Sequence, residues 1–201
     1  AGNEAAGNPQ AQIAAILAAI AAVALAMLLL ICEMAYVTGM AGAAWKHGTA
    51  SLRDGWEAFE RRGSEILVAI VLLFAIGLVA ALLAPVTLLL SGAAYAALTI
   101  YTLAAVIIGE RSALAGIAES FALAWENLWP TLAVVALVVA IAAAGGWLGG
   151  WLGGLAGRAS PLLAGLVAAV AQQIVVAYAT LVVVGEYLKL RNLHEAPGGS
   201  Q

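Results

Sequence analysis

Five apolar stretches, each near the length that crosses a bilayer, alternate with short charged segments over most of the 201 residues. A crossing takes about 20 apolar residues at a rise of about 1.5 Å each. The stretches fall at about 21–44, 66–84, 86–108, 130–149 and 161–184. The first is part of a longer apolar run from residue 12, whose surplus reads as a helical extension or as tilt. Pro85, Pro130 and Pro161 each stand at the start of a stretch, where proline's missing N–H has no helical partner in any case. Ala84-Pro85 therefore reads as a tight hairpin. Five crossings place Lys46, Arg53, Arg61, Arg62, Arg111, Lys189 and Arg191 on one side and Arg158 on the other. Cationic side chains near span ends resist translocation. The seven-member side is thus expected in the cytoplasm, with the N-terminus outside and the C-terminus inside a plasma or inner membrane. The expected fold class is all-α: a polytopic membrane bundle in one domain over residues 1–191, with a polar, mobile tail at 192–201.

Charged residues make up only 9% of the chain and hydrophobic ones 65%, where a soluble domain is about 25% charged. A water-soluble monomer is excluded. A net charge of −3 without any Lys/Arg-rich run argues against nucleic acid as a partner. Cys32 is the single cysteine, so neither an intrachain disulfide nor a Cys/His zinc pattern can form. There is no phosphate-binding glycine loop, HExxH or Gly-x-Ser-x-Gly elbow. His47 and His194 read as solvated residues at span ends. No cofactor, metal or enzymatic activity is expected. A first residue other than methionine fits a chain processed or cut from something longer, and Ala1–Ala11 lacks the basic start of a signal peptide.

Two charged segments carry amphipathic helices. In residues 51–62, Leu52, Trp56 and Phe59 recur at i, i+4, i+7, with Ser51 and Asp54 resembling a capping box and Gly63 a helix end. In residues 113–127, Ile117, Phe121, Ala124 and Leu128 form the equivalent stripe. Both are expected in the cytoplasmic interface, with Trp56, Phe59 and Phe121 as anchors at headgroup depth. They read as elbows between hairpins; a docking or lipid-sensing surface is the alternative. Four basic and four acidic residues between Lys46 and Glu65 leave little attraction to anionic lipid.

The chain also repeats itself. At an offset of 65, Tyr36 and Lys46 match Tyr101 and Arg111, and Asp54-Gly55-Trp56 matches Glu119-Ser120-Phe121. At an offset of 76, Pro85 meets Pro161 and Gly109-Glu110 meets Gly185-Glu186. The unit is an amphipathic helix followed by a membrane hairpin. The change of offset locates an insertion of 11 residues between the fourth and fifth stretches.

Glu33 is the sharpest polar feature. It lies about 16 Å inside residue 44, near mid-bilayer, where an ionised carboxylate costs on the order of 3 kcal/mol. One reading is a proton- or cation-coupled site. The others are an interhelical contact with a missing partner, a protonated carboxyl hydrogen-bonded inside the bundle with Gln172, Gln173, Tyr95 or Tyr101 as candidate partners, and a span shifted so that Glu33 nears the interface. Gln172 and Gln173 read as interhelical glue, each bond contributing about 1 kcal/mol. In the insertion, Gly145, Gly149, Gly153 and Gly157 step at i+4, the small-residue spacing that lets two helices approach closely. Doubled glycines disfavour helix by about 1 kcal/mol each, so a packing seam is expected to give way to a loop anchored by Trp147 and Trp151.

The segments Ser51-Leu-Arg-Asp-Gly-Trp-Glu-Ala-Phe59 and Ala115-Gly-Ile-Ala-Glu-Ser-Phe-Ala-Leu-Ala-Trp-Glu-Asn127 resemble a recurring helix of uncharacterised polytopic proteins similar to the membrane domain of glycerophosphoryl diester phosphodiesterases. The resemblance covers roughly residues 36–191 and implies a non-catalytic accessory module, usually of six spans. This chain departs from it by lacking the first helix and span, consistent with truncation or natural loss. The catalytic domain has no counterpart, so no catalytic residue carries over. The reading is a five-span accessory or scaffold subunit whose partners are the lipid bilayer and other membrane subunits or a second copy. A small transporter or channel using Glu33, Gln172 and Gln173 is the second reading, a lipid-interacting membrane remodeller the third.

Overall fold

The computed structural model describes residues 9–87, 90–158 and 160–195. Among them there are seven helices and no strand. The chain divides into two compact units, Ala1–Glu33 and Met34–Gln201. In the first, the described residues form the opening part of helix α1, Pro9–His47. The second holds the remainder of α1 with α2 Leu52–Leu83, α3 Leu90–Thr99, α4 Thr102–Ile107, α5 Ala113–Glu126, α6 Leu128–Gly157 and α7 Pro161–Glu195.

Among the described residues, four helical runs are long and apolar enough to cross a membrane: α2, α3 with α4, α6, and α7. The chain is a multi-pass membrane protein on that ground. Hydrocarbon offers no partner for a free N–H or C=O, so long helices with internally paired backbones are the form such sequences adopt. The stretch expected at 21–44 lies in α1, where many side chains between 19 and 31 fall outside the described residues. Of the tail expected at 192–201, residues through Glu195 are helical and 196–201 lie outside the described residues.

Three expectations about element boundaries are corrected. The helix at 51–62 and the stretch at 66–84 are not separate, because α2 runs unbroken through Gly63. Ending a helix there would strand several carbonyls at the membrane boundary, and Gly63 has the helical conformation of its neighbours. The capping box does form at the start. Ser51 accepts from the Asp54 amide, and the Asp54 carboxylate accepts from the Ser51 amide at 2.7 Å.

Second, the stretch at 86–108 is not one helix: Ile100 and Tyr101 form a turn between α3 and α4. Third, the glycine-rich insertion is helical to Gly157, so Trp147 and Trp151 stand on a helix rather than a loop. Internal hydrogen bonding outweighs the propensity cost of glycine once water is absent.

The hairpins close through small residues and hydroxyls. Between α2 and α3, Ser91 donates to the Ala80 carbonyl at 2.8 Å and Tyr95 to the Leu73 carbonyl at 2.9 Å. A side chain at Gly77 would press on the Tyr95 ring. Between α6 and α7, a Cβ at Gly145 would collide with Val175, and one at Gly149 would meet Ala171 at 3.0 Å. Gly153 faces Ala168 and the Ala164 carbonyl, and Gly157 faces Ala164. Gly146, Gly150 and Gly154 meet nothing within 4 Å, so one glycine row lies against α7 and the other is open.

Candidate functional site

A group of buried polar side chains of the second unit gathers where α2, α4, α5 and α7 meet. Ser120, fully buried on α5, resolves the break between α3 and α4. Its hydroxyl donates to the Leu98 carbonyl at 2.7 Å and accepts from the Tyr101 amide at 3.2 Å. One side chain thereby satisfies two backbone groups that the turn at residues 100–101 releases, groups that burial would otherwise leave unpaired. Tyr101 is itself wholly buried and its hydroxyl lies 3.3 Å from that of Thr131 on α6.

Beside it stands Tyr187 of α7, also wholly buried, with ring centroids 6.5 Å apart. Tyr187 donates to one oxygen of Glu119 at 2.8 Å, and Arg111 binds the other at 2.6 Å. Gly109 lies against the Tyr187 hydroxyl, and no larger residue fits there. The N-terminus of α5 receives its cap from a distant helix: Glu65 of α2 accepts from the Ala113 amide at 2.7 Å. A carboxylate here also complements the positive end of the α5 dipole.

The last part of α1 is clamped to the same end. Tyr36 donates to the Leu52 carbonyl at 2.5 Å, and Trp45 Nε1 donates to the Leu181 carbonyl at 3.0 Å. Gly39 admits Ala58, Gly55 admits Tyr36 and Met40, and Gly185 admits the Trp45 ring. A shallow pocket of about 270 Å³ is lined by Ala58, Arg61, Arg62, Ile107 and Glu110. It is spanned by an exposed Arg62–Glu110 pair at 3.5 Å, a contact of little energetic weight. Among the described residues no His, Cys, Asp and Glu side chains gather to hold a metal. Chemically the arrangement is a set of shared hydrogen bonds, beside which the buried Thr102 hydroxyl on α4 is left without a partner. Glu119 has both oxygens occupied, one by the Tyr187 hydroxyl and one by Arg111.

Within the second unit, the residues singled out from the sequence are not brought into one site. Glu33 closes the first unit, half-buried, with Oε1 shielded from solvent and without a hydrogen bond. Of the partners considered for it, Tyr95 and Tyr101 direct their hydroxyls to Leu73 and Thr131. Gln172 and Gln173 are exposed on α7. Trp56 is exposed, donates to Glu60 at 2.7 Å and stacks on half-buried Phe59. Phe121 is half-buried, and Trp147 and Trp151 are exposed.

Sequence reasoning passed over Ser120, Glu119, Tyr187 and Glu65 as site residues. The one available signal was Ser120, a hydroxyl inside the apolar stripe of residues 113–127. Trp125 and Trp129 are exposed as well, flanking the α5–α6 junction where Asn127 caps the last turn through the Leu123 carbonyl. Comparison of the chain with protein-family models, with curated proteins and with solved structures returned no match.

Proposed function

We propose that this chain is a non-catalytic membrane subunit, an accessory or scaffold module that assembles with other membrane-embedded chains through helix packing. The observation that carries the reading is how little of the spans the single chain covers. In their most apolar windows 17% of α2, 39% of α3 with α4, 11% of α6 and 17% of α7 is buried, while the charged end is closed by buried tyrosines and shared hydrogen bonds. A chain packed tightly at one end and uncovered along its spans is suited to receive neighbours, because association in lipid works through close packing and interhelical hydrogen bonds.

The finer layout belongs to the same proposal. It has five crossings with the N-terminus outside, and Lys46, Arg53, Arg61, Arg62, Arg111, Lys189 and Arg191 on the cytoplasmic face of a plasma or inner membrane. Two details support the internal repeat. At the offset of 65, Tyr36 lies against Gly55 as Tyr101 lies against Ser120. At the offset of 76, Gly109 admits Tyr187 and Gly185 admits Trp45. The likeness to the phosphodiesterase membrane domain points to the same non-catalytic role. One observation favours transport as the second reading, namely the unpartnered Oε1 of Glu33.

The test is mass determination after purification in mild detergent, paired with Glu33→Gln. An assembly heavier than one chain, retained by Glu33→Gln, is expected. A single chain that carries flux in proteoliposomes and loses it in Glu33→Gln would overturn the proposal.

A further inference from the structure

The middle of α7 carries a polar pair with nothing to bind. Gln172 and Gln173 lie halfway along the stretch at 161–184, about 17 Å from either end. Both side chains are exposed and neither makes a hydrogen bond. A glutamine side chain is too short to reach headgroups over that distance, and hydrocarbon satisfies neither its oxygen nor its NH₂.

The face of α7 turned to α6 is already used, through Ala164, Ala168, Ala171 and Val175. Gln173 belongs to another row. With Gly165 and Ala169 it steps at i+4, all three are exposed, and a side chain on Gly165 would meet nothing within 4 Å. Such a row lets a second helix come close enough for an amide in its midst to bond across.

We infer that this row is the contact by which two copies of the chain pair, α7 against α7, with Gln173 bonded to Gln173. The occupant follows from symmetry and chemistry together. Two copies inserted in one membrane share an orientation, so a two-fold axis along the membrane normal brings residues of equal number to equal depth. The group at that crossing must then complement itself. A primary amide does, its NH₂ donating to the other copy's oxygen and the reverse, whereas a carboxylate or an ammonium would meet its like charge. Gln172 stands at the edge of the same face. The inference rests on the association reading above and names its partner.

The test uses the full chain in its native membrane, with Cys32→Ser and single cysteines introduced for oxidative cross-linking. Gly165→Cys, Ala169→Cys and Gln173→Cys are expected to give disulfide-linked dimers, and Ala164→Cys and Ala171→Cys none. Separately, Gln172→Leu with Gln173→Leu is expected to weaken dimerisation about tenfold, with Gln173→Asn retaining part of it. No dimer from any of the three row positions would overturn the inference. Cross-linking of Gln173→Cys to a different polypeptide would overturn the second copy and leave the association reading standing. Modification of Gln173→Cys by a membrane-impermeant maleimide would place water there and overturn both.

Discussion

Ser120 answers two backbone groups at once where the chain breaks between α3 and α4. The break at residues 100–101 releases the Leu98 carbonyl and the Tyr101 amide in a buried place, and the one hydroxyl answers both. Its removal leaves two groups unpaired without opening a route for water. Ser120→Ala is therefore expected to destabilise the protein by roughly 1–3 kcal/mol, read as a lowered midpoint in thermal unfolding in detergent. Ser112→Ala is the control. Ser112 precedes α5 but makes no side-chain capping bond, so the change should stay within about 0.5 kcal/mol. Equal effects from the two would remove Ser120 from its place in the account. Glu65 offers a second test, since its carboxylate caps α5 from α2. Loss of a cap costs about 1 kcal/mol, so Glu65→Ala should lower the same midpoint, and hydrogen exchange should rise first at the start of α5.

Among the elements, α6 and α7 show how glycine works in a membrane helix. The two glycine rows of α6 differ only in what faces them. Gly145→Ala places a methyl group into Val175, and overpacking of this kind costs about 1–3 kcal/mol. Gly146→Ala meets open space and should be neutral or gain up to about 1 kcal/mol from helix propensity. The unfolding midpoint should therefore fall for Gly145→Ala and hold or rise for Gly146→Ala, and the reverse order would contradict the close packing of the seam.

The long helices were legible in the sequence because apolar runs of this length have few other forms, and the start of α2 because Ser51 and Asp54 are a local signal. The break between α3 and α4 was not, since Ile100 and Tyr101 carry no breaking tendency and the stabilising hydroxyl lies 19 residues on. Gly63 and the paired glycines misled for one shared reason. Propensities measured in water overstate the cost of glycine where the alternative is an unpaired backbone in lipid. The seam spacing of Gly145, Gly149 and Gly153 was readable, but its facing residues on α7 were not. The Tyr187–Glu119–Arg111 set joins parts of the chain too distant for any spacing rule to connect.

At the scale of the whole molecule, the account rests on polar groups collecting at one end of the spans. Arg62 pairs with Glu110, Arg111 with Glu119, and Tyr187 of α7 closes on the same carboxylate. These contacts tie α2, the α4–α5 turn, α5 and α7 together at a common level, while Arg158 caps the far end of α6. Such a layout makes sense only if lipid surrounds the helices between the two ends. It is tested most directly by side-specific labelling of single cysteines in a Cys32→Ser background, with an impermeant maleimide applied to intact cells and to inverted vesicles. Arg61→Cys and Arg111→Cys are expected to react only in inverted vesicles, and Arg158→Cys only in intact cells. Reaction of Arg61→Cys and Arg111→Cys from opposite faces would contradict the account.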